Sequence, residues 1–219
     1  MKHFRKKLIQ FFPVIIAVIC MTGCTSQNAE TNLVIAKFGE EEIYMDELQF
    51  YLIINQVNYE QEYAKQYPEQ NIWAMDVLGT GNTLEDDVKQ SILQETKGMH
   101  ILLKKAEEFG ITMDEEDEAE LIILEEVLKE RYSQEVLQEI HMEEGVVQER
   151  LRQSMLAAKV KEVICEENGW TTDDREEKFQ ALYKEWAEET SFTIRELEWA
   201  EIHFEQGKYK IKEEETGNK

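Results

Sequence analysis

From Leu84 to Phe109 the chain runs without a proline, and Val88, Ile92, Met99, Leu103 and Ala106 recur at spacings of three, four and seven. That is the period of one face of an α-helix. Thr83 supplies an N-cap, and Asp86 and Asp87 stand in the first turn, where the helix dipole favours carboxylates. Gly110 takes the position just past the last turn, where a glycine commonly ends a helix. A helix so long and so clearly bounded commits the chain to a mainly helical fold. Only two prolines, Pro13 and Pro68, and an abundance of Glu, Lys, Leu and Gln agree with it.

Further helices read out on either side. Asp46 looks like the N-cap of a helix to about Tyr67, with Leu48, Tyr51, Leu52, Ile54 and Tyr63 for burial. A loop through Pro68, Trp73, Gly79 and Gly81 leads into the long helix. Thr112 and Glu115 have the spacing of a capping box for a helix to about Tyr132, its core stripe being Leu121, Leu124 and Leu128. A short helix is expected over Gln134–His141 and a long one over Glu144–Asn168, stopped by Gly169. Its buried side would be Val147, Leu151, Met155, Ala158 and Ile164. Thr172 begins the last helix, where Phe179, Leu182, Tyr183 and Trp186 share one face.

Extended segments lie near both ends. Residues 33–38 and 41–44 read as strands around a Gly39–Glu40 turn. Residues 192–194 and 198–204 read the same way, the second by alternation. A two-stranded hairpin is marginal alone in water, so residues 33–44 and 192–204 are expected to meet in one small sheet beside the helices. No repeat of solenoid period is present.

The N-terminus has the order of a secretory signal: a basic head (Lys2, Arg5, Lys6, Lys7), an apolar run from Leu8 to Met21, then Met21-Thr22-Gly23-Cys24. The ending resembles a bacterial lipobox, in which the cysteine thiol takes a diacylglycerol and becomes the first mature residue. Residues 1–23 are therefore expected to be a signal peptide, Cys24 the lipidation site and residues 24–32 a tether. The other reading of the same run is an uncut membrane anchor. Either places the rest of the chain on the outer face of the membrane. Removing residues 1–23 leaves 47 acidic against 20 basic residues, a formal charge of −27. So acidic a surface disfavours nucleic acid and anionic lipid as partners. With Cys24 lipidated, Cys165 stands alone and is expected to be a small buried residue on a helix face.

The order of these features resembles the N-terminal chaperone region of the SurA and PrsA foldases. The resemblance rests on Ile35-Ala36-Lys37-Phe38-Gly39-Glu40-Glu41-Glu42-Ile43 followed by Asp46-Glu47-Leu48, and on the helix from Leu84 closing in Ala106-Glu107-Glu108-Phe109-Gly110-Ile111-Thr112. It covers about residues 33–190 and rests on caps and helix lengths, not on catalytic residues. It implies a SurA N-like helical chaperone domain over 33–204; the residues after it, 205–219, are charged and read as a loose tail. It further implies an extracytoplasmic holdase for unfolded or partly folded exported chains. The parvulin isomerase domain carried by many relatives has no room in the 49 residues after Trp170. Met99-His100-Ile101-Leu102 superficially resembles the first parvulin strand, but it sits within the strongest helical pattern. No proline isomerase activity is expected.

Nothing in the sequence marks a catalytic residue, a metal site or a cofactor. The histidines His3, His100, His141 and His203 are scattered. Residues 114–118 are dense in carboxylates but lack the glycine and ligand spacing of a calcium loop, so they read as the solvated start of a helix. His141 beside Glu143 and Glu144 could hold a metal weakly, though nothing demands it. The aromatic residues form two groups: Tyr51, Tyr59, Tyr63, Tyr67 and Trp73, and then Trp170, Phe179, Tyr183, Trp186 and Trp199. Most belong to the core. A minority in a groove, with a methionine such as Met75 or Met142, would suit loose binding of varied segments. The sequence does not identify the client-binding residues. A structural lipoprotein that docks one dedicated partner is the alternative reading.

Overall fold

The computed structural model describes residues 33–170 and 174–209. The expected signal peptide, Cys24, the tether, the helix start at Thr172 and residues 210–219 lie outside the described residues. Strand β1 (Val34–Phe38) occupies the middle of a three-stranded antiparallel sheet, between β2 (Glu41–Tyr44) and β3 (Phe192–Ile194). Lys37 faces Glu42 on one side and Thr193 on the other. The segments near the two ends of the described chain thus share one sheet, as their marginal length alone requires. Gly39 takes a left-handed conformation at φ 61° to turn the hairpin, and its N–H donates to the Ser191 carbonyl at 2.9 Å.

Among the described residues there are seven α-helices, of which the first six follow the order read from the sequence, with shifted ends. Helix α1 (Met45–Tyr63) leaves β2 directly through Tyr44, which makes no side-chain cap; Asp46 lies in the first turn instead of capping it. The helix also stops at Tyr63, short of Tyr67. Helix α2 (Leu84–Phe109) has the expected ends: the Thr83 hydroxyl accepts the Asp86 N–H, and Gly110 is left-handed at φ 66°. The capping box of α3 (Glu115–Arg131) belongs to Asp114 and Asp117, not to Thr112 and Glu115. Asp114 Oδ1 accepts N–H bonds from Glu116 at 2.9 Å and Asp117 at 3.2 Å, and Asp117 Oδ2 accepts from the Asp114 N–H at 2.8 Å. Carboxylates outcompete a hydroxyl here because Lys159 binds both of them across the helix interface. Helix α4 (Gln134–Glu139) is capped by Ser133. A single 3-10 turn at Met142–Glu144 then delays α5 (Val146–Glu167) past the expected Glu144 start. Helix α6 (Arg175–Glu188) follows.

The largest departure lies at residues 198–204, which form no strand. Residues Glu196–Ala200 make the short helix α7, and the chain then runs over the body as an extended strap to Tyr209. Of the expected alternation only the end survives, with Ile202 half-buried and Phe204 buried between exposed Glu201, His203 and Glu205, and side chains of the helices meet the strap where a neighbouring strand would. Lys89 Nζ donates to the Ile202 carbonyl at 2.6 Å, Glu85 accepts the Phe204 N–H at 3.0 Å, and Gln56 donates to the Glu205 carbonyl at 2.6 Å. Residues 205–209 are correspondingly fixed: Glu60 accepts the Gly207 N–H at 2.9 Å, and Tyr209 is buried.

Two apolar clusters hold these elements. The larger joins the sheet to α2, the end of α5, and α6; Leu48 and Leu52 of α1 and the lone Cys165 are buried in it. The smaller joins Ile53 and Val57 of α1 to Tyr132, Val136, Leu137, Ile140 and Tyr209. Helix α1 therefore buries residues on two sides and couples both clusters. Of the stripe expected on α3, Leu121 is fully buried, while Leu124 and Leu128 are only half-buried. Among the described residues no helix is long and apolar enough to cross a membrane.

Candidate functional site

An apolar cleft of about 410 Å³ opens where α1, α2, α5 and α6 converge. That volume falls within the roughly 300–1,000 Å³ of pockets that enclose apolar ligands. Its lining comes from all four helices. Tyr51 stands on α1, Gly98, Met99 and Leu102 on α2, Ala157 on α5, and Phe179 and Tyr183 on α6. Phe179 and Ala157 are buried and form the floor, while Tyr51, Met99, Leu102 and Tyr183 are half-buried walls. Gly98 makes the approach of α6 feasible, because a Cβ there would lie 3.1 Å from the Tyr183 hydroxyl oxygen.

The polar groups at the rim are bonded among themselves and leave the interior apolar. Lys161 Nζ donates to Glu176 at 2.6 Å and lies 5.5 Å above the centre of the Phe179 ring. Gln180 donates to the same Glu176 at 3.0 Å, and Ser91 donates to Glu95 at 3.0 Å. The Ser154 hydroxyl donates to the Arg150 carbonyl of its own helix at 3.0 Å, so it is not poised as a nucleophile. Burial pushes the Tyr51 and Tyr183 phenols up, so both rings present neutral hydroxyls at any ordinary pH. The arrangement can bind apolar and aromatic groups by shape and dispersion. It holds no nucleophile–base pair.

The cleft draws on both aromatic groups of the sequence, with Tyr51 from the first and Phe179 and Tyr183 from the second. The others serve the core. Trp73 is 1% exposed, stacks on Phe204 with ring centres 4.2 Å apart, and meets Tyr59 edge-on. Phe179 itself meets Trp186 edge-on at 6.0 Å. The methionine in the cleft is Met99, neither Met75 nor Met142. Gly98 and Met99 are the residues that sequence reasoning missed, and a glycine inside a strong helix beside a methionine is the signal that could have found them.

Two other hollows are structural seams. One of about 510 Å³ runs between α1, α4 and the strap, and its polar residues already serve the fold: Gln49 donates to the Glu139 carbonyl, and Gln56 to Glu205. The other surrounds His100, which lies in α2 as its helical pattern requires. His100 Nε2 is 2.7 Å from Glu47 and Nδ1 is 3.4 Å from Glu41. Burial works against protonation of the ring, but the hydrogen bond and charge of Glu47, then those of Glu41, prevail and raise its pKa above the usual histidine value. The ring ties α2 to the hairpin and to α1, and does so as an ion pair when protonated. Among the described residues no group of three or more metal-ligating side chains is gathered at one point, and His141 sits in a left-handed turn at φ 54°. Compared with models of known protein families, with proteins of curated function and with solved structures, the chain matches none.

Proposed function

We propose that this protein is an ATP-independent holdase anchored at the outer face of the membrane through a lipidated Cys24. It captures apolar segments of unfolded or partly folded exported chains and releases them with no bond made or broken, and without proline isomerase activity. The cleft between α1, α2, α5 and α6 carries the reading. It is apolar, open, and walled by a methionine and two tyrosines, side chains that fit many partners because they adapt or offer large contact at low entropic cost. The acidic surface keeps such a binder soluble, repels anionic polymers and favours clients with basic stretches. The resemblance of residues 33–190 to SurA and PrsA chaperone regions points the same way.

The test is aggregation suppression by residues 25–219 for several unrelated denatured proteins, with a proline-peptide isomerisation assay alongside. Suppression of several clients with no isomerisation supports the holdase. A second reading, a lipoprotein docking one dedicated partner, is favoured by one observation: the outer flank of α3 exposes Ile122, Ile123 and Val127 together. Recovery of one stoichiometric partner from membranes, with no suppression, would select it.

A further inference from the structure

Helix α3 packs on the body with one flank only. Leu121 is buried there, and ion pairs from Arg152 to Glu118 and from Lys159 to Asp114 and Asp117 fasten it to α5. The opposite flank carries Ile122, Ile123 and Val127, exposed by 60%, 63% and 49%. Aliphatic residues scattered singly over a surface need no explanation. These three fall within six positions of one helix and share a side. They are also β-branched, which lowers helix propensity, so nothing local recommends them at solvent positions.

Exposed carboxylates frame the patch: Glu115, Glu116 and Glu120 toward one end, Glu126 and Glu130 toward the other. Lys129, at the same end, lies 2.6 Å from Glu126. We propose that this flank docks a cationic amphipathic helix of a partner protein. Two or three aliphatic residues of that helix would lie across Ile122, Ile123 and Val127, with Lys or Arg at neighbouring i, i+3 and i+4 positions reaching the framing glutamates. Charge excludes the other occupants. A second copy would press five glutamates against five in a chain of net charge −23, and an anionic bilayer meets the same repulsion. Arg152 and Lys159, which hold α3, and Ser154 and Ala157 of the cleft lie on different faces of α5. Docking here is therefore independent of the cleft and survives failure of the holdase reading.

The probe is a synthetic Lys/Leu amphipathic peptide about 14 residues long, about four helical turns, titrated into residues 25–219 by calorimetry. A peptide of equal composition, scrambled to remove its apolar face, serves as control. The substituted positions of α3 are exposed, so circular dichroism of those variants is expected to be unchanged. The amphipathic peptide should bind at one site, at least about tenfold more tightly than the scramble. The triple variant Ile122→Ser, Ile123→Ser, Val127→Ser should lose about tenfold or more, a loss readable against the wild type. Glu126→Gln with Glu130→Gln should weaken binding and flatten its salt dependence. Gly98→Leu, in the cleft, should leave it unchanged. Equal affinity for the scramble, or for the triple variant, would show attraction to net charge alone and overturn the proposal. A dimer in sedimentation that the triple variant abolishes would overturn it in favour of a second copy.

Discussion

Replacing Phe204 by alanine should destabilise the fold by leaving a cavity beneath the strap that crosses it. Phe204 is 7% exposed and stacks on Trp73, itself 1% exposed, with centroids 4.2 Å apart. Removing a buried phenylalanine costs about 3–5 kcal/mol through lost transfer energy and the cavity left behind, and the aromatic pair lies within that figure. The backbone bond from the Phe204 N–H to Glu85 does not involve the ring and should persist, so the strap stays near its place and the cavity is only partly refilled. For a domain of this size each kcal/mol moves the midpoint by about 2–4 °C, so Phe204→Ala should lower it by about 10 °C. Phe204→Leu keeps most of the volume and should cost less than about 1.5–2 kcal/mol. Urea unfolding of residues 25–219 gives both values, and the near-ultraviolet circular dichroism of the packed tryptophan should fall in the alanine variant. A loss below about 1 kcal/mol for Phe204→Ala, or equal losses for both variants, would refute the claim that this stack closes the core.

Other outcomes follow from the same structure. Gly98→Leu should abolish most aggregation suppression, because its side chain enters the cleft and displaces Tyr183, whose hydroxyl oxygen would lie 3.1 Å from a Cβ there; urea unfolding checks that the variant stays folded, and suppression equal to wild type would remove the cleft as the capture site. The raised His100 pKa stabilises the fold fully below the unfolded value of 6.5, and that stability is lost as pH rises through the folded value. The difference in midpoint between wild type and His100→Gln should therefore shrink from pH 6 to pH 9, and a difference independent of pH would contradict the ion-paired ring. Thr83→Ala removes the cap of α2 and should cost about 0.5–2 kcal/mol in urea unfolding; no measurable cost would mean that the cap is redundant.

Legibility in the sequence followed the range of the interactions. The caps of α2 were readable because Thr83 and Gly110 act on backbone one turn away. The sheet was readable because neither extended segment could stand alone. The start of α3 was misplaced by two residues because Lys159, more than forty positions downstream, decides which carboxylates cap it. Residues 198–204 were misread for a similar reason. The inward turn of Ile202 and Phe204 looks like one face of a strand, but Lys89, Glu85 and Gln56 replace a partner strand, and no local pattern announces them. The cleft was half-legible, since its aromatic residues stood out while their meeting across four helices depended on Gly98.

Capture of unfolded chains is the role proposed for the cleft. It is tested most directly by adding residues 25–219 to several unrelated denatured proteins and following light scattering, with Gly98→Leu in parallel. The native protein should slow aggregation of several clients at modest molar excess, and Gly98→Leu should not. Absence of suppression at a several-fold excess, with the protein folded, would contradict it.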